Sequence, residues 1–378
     1  MHGNIRGEYK VCCFADYADD TVVMGTHEEA VTSVWNSDNY KKIRKDLLKG
    51  TIPLQCKQSC YNKEATGSIS PRQISNKKYA QYTHLQKNTD IEGSVTHNPN
   101  YIDIRFGNLC NFKCRTCGPD ASTSWYKEFP AYRFKKAIDN YTENTIFWDS
   151  LSEISKSIEH VYFAGGEPFV QDGHYKLLIF LIDNNYAKDI ELTYNTNLSY
   201  SKYKNYELNS LWANFKSVSL WPSIDGYGKK AEYTRSGLSW DTFEKNTLKF
   251  ADRITTLSAV ISIYSITSMP NLILWVKKNK MSVNGTTLII PEYQSVTCLP
   301  SDTKNKITDM YARFLKEYSP MLTIAEISNI NDWVIYMNSK DDSHMLTEFK
   351  QYNTRIDKNR KESFIETFPE YTSWYKDI

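Results

Sequence analysis

From Tyr101 to Pro291, short apolar runs alternate with longer stretches in which apolar residues recur every three or four positions. The first run, Tyr101–Phe106, places Ile102, Ile104 and Phe106 on one side and Asp103 and Arg105 on the other, as a strand does. Further strands are expected at His160–Ala164, Ile190–Tyr194, Ser217–Ile224, Thr256–Tyr264 and Thr287–Pro291. Helical periodicity falls between them at His174–Asp183, Trp240–Ala251 and Asn271–Lys278. Six strands with intervening helices imply a parallel sheet with right-handed crossovers. Periodicity does not separate an open sheet from a partial barrel. After Pro300 the pattern is mainly helical, over Ile307–Tyr318, Ala325–Met337 and Met345–Tyr352.

The segment ahead of this α/β stretch reads differently. Glu8–Phe14 and Thr21–Met24 have the character of short strands, and Thr26 with Glu29 fits a capping box that opens a helix. A second helix is expected with Tyr40, Ile43, Leu47 and Leu48 on one face, ended by Gly50. Its basic run, KKIRKDLLK, reads as a solvated face. Residues 83–99 are polar and aperiodic, as a linker is. The expected organisation is a cysteine-bearing module at 1–82, a linker at 83–99, an α/β core at 100–292 and a helical region at 293–378. No internal repeat and no low-complexity tract interrupts it.

Composition narrows the function classes. A chain of 378 residues with 40% hydrophobic content is long enough for two or three domains with a real core. Its 46 basic and 44 acidic residues leave a formal charge of +2, so neither nucleic acid nor an acidic membrane is advertised as a partner. No apolar run approaches the ~18 residues that span a bilayer. The opening MHGNIRGEYKVCC lacks the regions of a signal peptide, so a reducing cytoplasm is expected. Eight cysteines there are ligands, nucleophiles or buried thiols rather than disulfides. The seven His have no metal-ligand spacing, and packing accounts for most of the 27 Tyr and 9 Trp.

The chemistry concentrates in CNFKCRTC, where Cys110, Cys114 and Cys117 follow the first strand of the core at C-x3-C-x2-C spacing. Thiolates clustered on one loop are soft ligands that suit zinc or iron–sulfur. Structural zinc wants four ligands, whereas three suit a cubane with one iron left open for a small molecule. A second set lies toward the N-terminus. Cys56 and Cys60 are followed by Glu64, Gly67, Ser70 and Arg72, and Cys12 adjoins Cys13. Iron–sulfur, zinc and plain thiols all remain open for this set. Adjacent cysteines rarely both ligate one cluster, so one of Cys12 and Cys13 is expected to be a packed thiol. Cys298, in SVTCLP, is read either as a fourth ligand or as a lone buried thiol.

The central motif resembles that of the radical S-adenosylmethionine superfamily, and further elements follow in order from about Tyr101 to Pro291. Gly165, Gly166, Glu167 and Pro168 match the GGEP element after the second strand. The resemblance implies contact there with the methionine amino group. Asn195 and Asn197 after the third strand would contact ribose and methionine polar groups. Ser223 and Asp225 lie in the S-I-D-G stretch after the fourth, and Arg235 in Y-T-R-S-G. The Ser would meet cofactor polar atoms and the Arg the cofactor carboxylate, a partner suited to a guanidinium fork. Phe112, inside the cysteine loop, would pack near adenine or plug the loop. The pattern C-x3-C-x3-E-x2-G-x2-S-x-R is similar to SPASM or twitch-type auxiliary-cluster modules, here placed ahead of the core. Relatives carry more chain before the cysteine pair than these eleven residues, which implies a trimmed module.

What the resemblance implies is a partial (β/α)6 barrel of the radical SAM type, a 4Fe-4S cluster that chelates S-adenosyl-L-methionine, and an auxiliary iron–sulfur cluster. One electron cleaves the sulfonium to a 5′-deoxyadenosyl radical, which abstracts hydrogen from substrate; the cofactor carries the hard chemistry. No catalytic residue beyond the cluster is assigned. A peptide or protein substrate is favoured, with an electron donor such as flavodoxin or ferredoxin and no membrane partner. The alternatives are a small molecule or RNA as substrate, a non-catalytic iron–sulfur electron-transfer or binding protein, and a structural zinc protein.

Overall fold

The computed structural model describes residues 1–15, 23–65, 67, 69–132 and 135–377. The chain divides into two compact units. The first comprises Met1–Leu109, Ala137–Thr193 and Tyr206–Val218, and the second comprises Cys110–Lys136, Tyr194–Asn205 and Ser219–Ile378.

Apart from a two-stranded ribbon, Lys202–Tyr203 with Tyr206–Glu207, the strands are β1 (His2–Gly3), β2 (Glu8–Lys10), β3 (Gly25–Thr26), β4 (Tyr101–Ile104), β5 (His160–Phe163), β6 (Glu191–Thr196), β7 (Ser217–Pro222), β8 (Thr256–Ile261) and β9 (Ser282–Thr287). The first seven form one sheet in the order β3-β2-β1-β4-β5-β6-β7. β1 is parallel to β4 and β4 to β5, while β2 and β3 add an antiparallel edge. Asp103 was expected on a polar side of β4 but is buried beside Ile102 and Ile104. Parallel sheets are covered on both faces, and the carboxylate is matched by His2 Nδ1 of β1 at 2.9 Å.

In the second unit β8 and β9 pair in parallel over six residues. Parallel bridges Leu220↔Ile254 and Ser223↔Ser258 connect the end of β7 to β8. The α/β reading with a large parallel sheet therefore holds. The sixth strand is displaced: it is Ser282–Thr287, not Thr287–Pro291. Ile289 and Ile290, whose hydrophobicity suggested the strand, are exposed. The actual strand buries only Val283 and Gly285, with Trp333 Nε1 donating to the Gly285 carbonyl at 3.0 Å.

The N-terminal elements also depart in detail. Of the strand expected at 21–24, Thr21 and Val22 lie outside the described residues, and β3 falls just after it. Glu29 accepts from the Thr26 N–H at 2.8 Å, yet the helix begins only at Val31, with Ala30 at its N-cap. The pair closes a turn instead of capping the helix. The next helix, Asp38–Leu48, is capped by Ser37 and buries Tyr40 and Ile43, while Leu47 and Leu48 are exposed. In its basic run Arg44 leaves the solvated face: its guanidinium lies 4.5 Å from the Trp35 ring and donates to Trp35 O at 2.6 Å. Residues 83–99 carry specific ties, with Asn36 bonding both backbone groups of Val95 and Trp35 Nε1 donating to His97 O at 2.9 Å.

The helices Asp172–Asp183, Trp240–Lys249 and Met269–Lys278 lie where the periodicity placed them. The C-terminal helices are Ser301–Tyr318, Ile324–Asn338 and Leu346–Arg360. Phe349, Phe364, Phe368 and Tyr371 gather in an aromatic core, Phe364 and Tyr371 stacking at 5.9 Å. Among the described residues no helix is long and apolar enough to cross a membrane.

Candidate functional site

The cysteine loop belongs to the second unit. Its path is set by backbone bonds to the segment around Arg235: Lys113 N–H donates to Ser236 O at 2.9 Å and Arg115 N–H to Thr234 O at 2.7 Å. Ser124 Oγ holds the Cys110 carbonyl at 2.7 Å. Phe112 is buried, and Gly237 passes directly beside it. Gly237 has φ +111°, and a Cβ there would lie 2.8 Å from the Phe112 ring. Phe112 and Gly237 also line a cleft of about 200 Å³ with Asn111, Ser199, Tyr200 and Leu238.

The Cys117 thiol donates to Cys114, which brings the Cys114 pKa down to about 7, and the Arg235 guanidinium favours the same thiolate. The shared proton pushes Cys117 the other way, with Cys110 adding to the rise. Arg235 Nη1 is 2.7 Å from Asp225 Oδ2. Asp225 is buried and its other oxygen accepts from the Val260 N–H at 2.7 Å. Arg235 Nε is buried without a hydrogen-bond partner among the described residues, and so is Asn195 Oδ1. Asn197 Nδ2 donates to Asn111 Oδ1 at 2.9 Å, joining the loop after β6 to the cysteine loop. Ser223 donates its N–H to Thr196 O at 2.7 Å. The second unit thus brings together Cys110, Phe112, Cys114, Cys117, Asn197, Asp225 and Arg235.

Gly165, Gly166, Glu167 and Pro168 belong to the first unit, directly after β5. Here the glycines serve a close backbone approach. Gly166 N–H donates to Gly107 O at 3.0 Å and Glu167 N–H to Leu109 O at 2.9 Å. A Cβ on Gly166 would sit 2.3 Å from Leu109 O, and Gly165 has φ +96°. Glu167 is buried and accepts from the Phe169 N–H at 3.1 Å, opening the short turn that Pro168 begins.

The N-terminal cysteines also lie in the first unit. Burial pushes the Cys56 thiol up to about 11, with Cys12 and Cys60 adding to the rise. Cys60 acts on Cys12 in the same sense. Cys12, Cys56 and Cys60 therefore neighbour one another. Cys13 faces elsewhere: burial raises its pKa to about 12, and the nearby Asp103 carboxylate adds to the rise. Ser59 Oγ donates to Phe14 O at 2.6 Å and ties the two cysteine segments together. Glu64, Ser70 and Arg72 form a clasp. Glu64 accepts from both Ser70 Oγ and the Arg72 fork, and Arg72 lies 4.5 Å over the Tyr61 ring. The polar part of the motif therefore fastens the turn that carries Cys56 and Cys60. Cys298, in the second unit, is a buried thiol that donates to Glu292 O at 3.1 Å.

Among the described residues no group of three or more His, Cys, Asp or Glu is already gathered in metal-holding geometry. The donor chemistry nonetheless fits. Soft thiols come in two sets of three neighbours, and beside the central set stands the Arg235 guanidinium, whose Nε–H is unpartnered among the described residues. Sequence reasoning missed Arg115, which is wholly buried inside the cysteine loop. Its only sequence signal was a charged residue between two candidate ligands.

Residues 4–61 match SPASM, described as an iron–sulfur cluster-binding domain. The match spans Cys12, Cys13, Cys56 and Cys60, in keeping with the resemblance read from those cysteines. Solved structures of similar course include Streptococcus suis SuiB bound to S-adenosylmethionine, at 15% identity and a TM-score of 0.39, covering 77% of this chain and 64% of that one. SuiB bound to the precursor peptide SuiA gives 15% identity and a TM-score of 0.40, covering 78% of this chain and 64% of that one. This chain thus spans less than two thirds of the length of these structures. None of the curated proteins matches.

Proposed function

We propose that this protein is a radical S-adenosylmethionine enzyme. Cys110, Cys114 and Cys117 hold a 4Fe-4S cluster, and Cys12, Cys56 and Cys60 serve an auxiliary cluster in the SPASM-like segment. The observation that carries the reading is the pairing of Cys114 and Cys117 beside Arg235, whose buried Nε–H has no partner among the described residues. The Cys117 hydrogen bond and the nearby guanidinium both favour the Cys114 thiolate, the form that ligates a metal. A fork with one N–H to spare suits a carboxylate. The six strands β4 to β9, taken in chain order, are read as the partial (β/α)6 barrel of this superfamily.

When bound, the cluster would supply one-electron reduction of S-adenosylmethionine, the chemistry that opens hydrogen abstraction from a substrate. The chain's own residues bind and orient. Asp225 holds Arg235 through Nη1 and leaves Nε–H for the methionine carboxylate. Asn195 Oδ1 and Asn197 offer polar contacts to the cofactor. Phe112 and the cleft beside it exclude water from the adenine. Cys13, held toward Asp103, is a packed thiol.

The substrate is read as a peptide or protein, because auxiliary-cluster modules of this type accompany such modification. The electron donor would be a flavodoxin or ferredoxin in a reducing cytoplasm. After anaerobic reconstitution and reduction, the protein should convert S-adenosylmethionine to 5′-deoxyadenosine, slowly even without substrate. No such product from iron-replete protein would defeat the reading.

A further inference from the structure

Arg115 stands between Cys114 and Cys117 and is held at every polar group it owns. Its Nε donates to Tyr233 O at 3.2 Å and its Nη1 to Asn353 Oδ1 at 3.1 Å. Nη2 donates to Asp357 Oδ1 at 2.5 Å and Glu362 Oε2 at 2.6 Å, and the guanidinium lies 3.6 Å from the Tyr233 ring centre. The backbone is held as firmly. The N–H donates to Thr234 O, and the carbonyl accepts from Gln294 Nε2 at 3.1 Å and Tyr352 Oη at 2.9 Å.

On the other side of Cys114 a second strut repeats the arrangement. Lys113 pairs with Glu128, and Glu128 is gripped by the fork of Arg360 through Nε at 3.0 Å and Nη2 at 3.1 Å. Arg360 Nη1 also donates to Ser236 Oγ at 2.8 Å, beside Arg235. Both neighbours of Cys114 are therefore tied to residues of the helix Leu346–Arg360 or the turn after it.

Burying a guanidinium with two carboxylates is a costly way to gain stability, since desolvation consumes several kcal/mol per ion. A planar fork whose N–H groups point in fixed directions, four of them paired here, is well suited to specifying one loop geometry. Arg115 also reaches Tyr233 and Thr234, just ahead of Arg235, so the same contact sets the cysteine loop against the carboxylate-binding Arg.

We propose that the helix Leu346–Arg360 and Glu362 form a brace that fixes the geometry of the cysteine loop, with Arg115 as the positioning residue through which it acts. The inference rests on the reading of Cys110, Cys114 and Cys117 as cluster ligands. It gives the helical C-terminal region a role in that site.

The test compares full-length reconstituted wild type with D357N/E362Q and with Y352F. Three readouts are taken: thermal melting, the rate of iron release to a chelator, and the change in the reduced cluster's paramagnetic resonance signal on adding S-adenosylmethionine. The double variant, which leaves the cysteine loop sequence intact, should release central iron at least roughly tenfold faster, as loss of charge-assisted bonds implies. Its signal should respond less to S-adenosylmethionine at temperatures where it remains folded. Y352F removes one hydroxyl and should speed release about fivefold, the factor for one net hydrogen bond; it decides the matter if the double variant does not fold. Folded variants with wild-type release and wild-type signal would overturn the brace while leaving the cluster reading intact. Wild type that takes up no iron on the loop would remove the cluster reading, and the brace with it.

Discussion

Replacing Arg235 by Lys separates its pairing with Asp225 from the role proposed for it at the cofactor carboxylate. The Nη1–Asp225 contact of 2.7 Å is an ion pair that an ammonium can keep. The Nε–H, buried and unpartnered among the described residues, has no counterpart in Lys, which is a point charge on a flexible stem. A hydrogen bond to a charged group is worth about 1.5–3 kcal/mol net. At about 1.4 kcal/mol per factor of ten, R235K should weaken S-adenosylmethionine binding roughly 10- to 150-fold. Folding should change little, because Asp225 stays paired. R235A makes the contrast: it leaves the buried Asp225 without its cation and should destabilise by about 3–5 kcal/mol as well. Isothermal titration of the reconstituted proteins, with iron content and melting measured on the same samples, gives both numbers. R235K with wild-type iron and a Kd within about twofold of wild type would show that Nε does not meet the cofactor, and the assignment of Arg235 would fall.

Changing Cys110, Cys114 and Cys117 together to Ala should remove about four irons per chain, by cubane stoichiometry, and leave residual iron that C56A/C60A then abolishes; iron analysis of the series checks this. Because Cys13 faces Asp103 while Cys12 neighbours Cys60, C12A should lose the auxiliary iron and C13A should keep it, and equal loss in both would refute the distinction. G166A places a Cβ against Leu109 O and should cost about 1–3 kcal/mol, visible as a lower melting temperature. His160 is a pH probe of the first unit. Burial, aided by Lys78, lowers its pKa to about 4, and its ring bonds Thr193 at 2.9 Å and Tyr79 at 3.0 Å. The folded state disfavours its protonation, so its contribution is complete above about pH 6.5 and is lost as pH falls toward 4, up to about 3 kcal/mol. H160Q should flatten melting temperature against pH across that window, and an unchanged slope would contradict the origin assigned to it.

The parts of the fold legible in the sequence were those written in local periodicity. β4 to β8 and the helices Asp172–Asp183, Trp240–Lys249 and Met269–Lys278 carry apolar residues at the expected repeat. β9 was missed because SVNGTT has little apolar content; its fit comes from Trp333 on a helix about fifty residues later. β1 is two residues long and is defined by pairing with β4, a partner about a hundred residues away. Leu47 and Leu48 continue a helical repeat but find no partner surface, which a pattern cannot reveal. The two cysteine sets were legible as candidates because their spacing is local. The separation of Cys12 from Cys13 was legible as a principle but not as a choice, since the choice depends on Asp103. Arg115 was invisible because Asn353, Asp357 and Glu362 lie more than two hundred positions onward.

The central claim is tested most directly by paramagnetic resonance of the reduced, reconstituted protein, with and without S-adenosylmethionine, alongside mass-spectrometric assay of 5′-deoxyadenosine. The account predicts a 4Fe-4S signal that shifts on adding the cofactor, 5′-deoxyadenosine accumulating with time, and loss of both in C114A. An iron-replete protein whose signal ignores S-adenosylmethionine and which forms no 5′-deoxyadenosine would contradict it, and zinc in place of iron on the cysteine loop would do so equally.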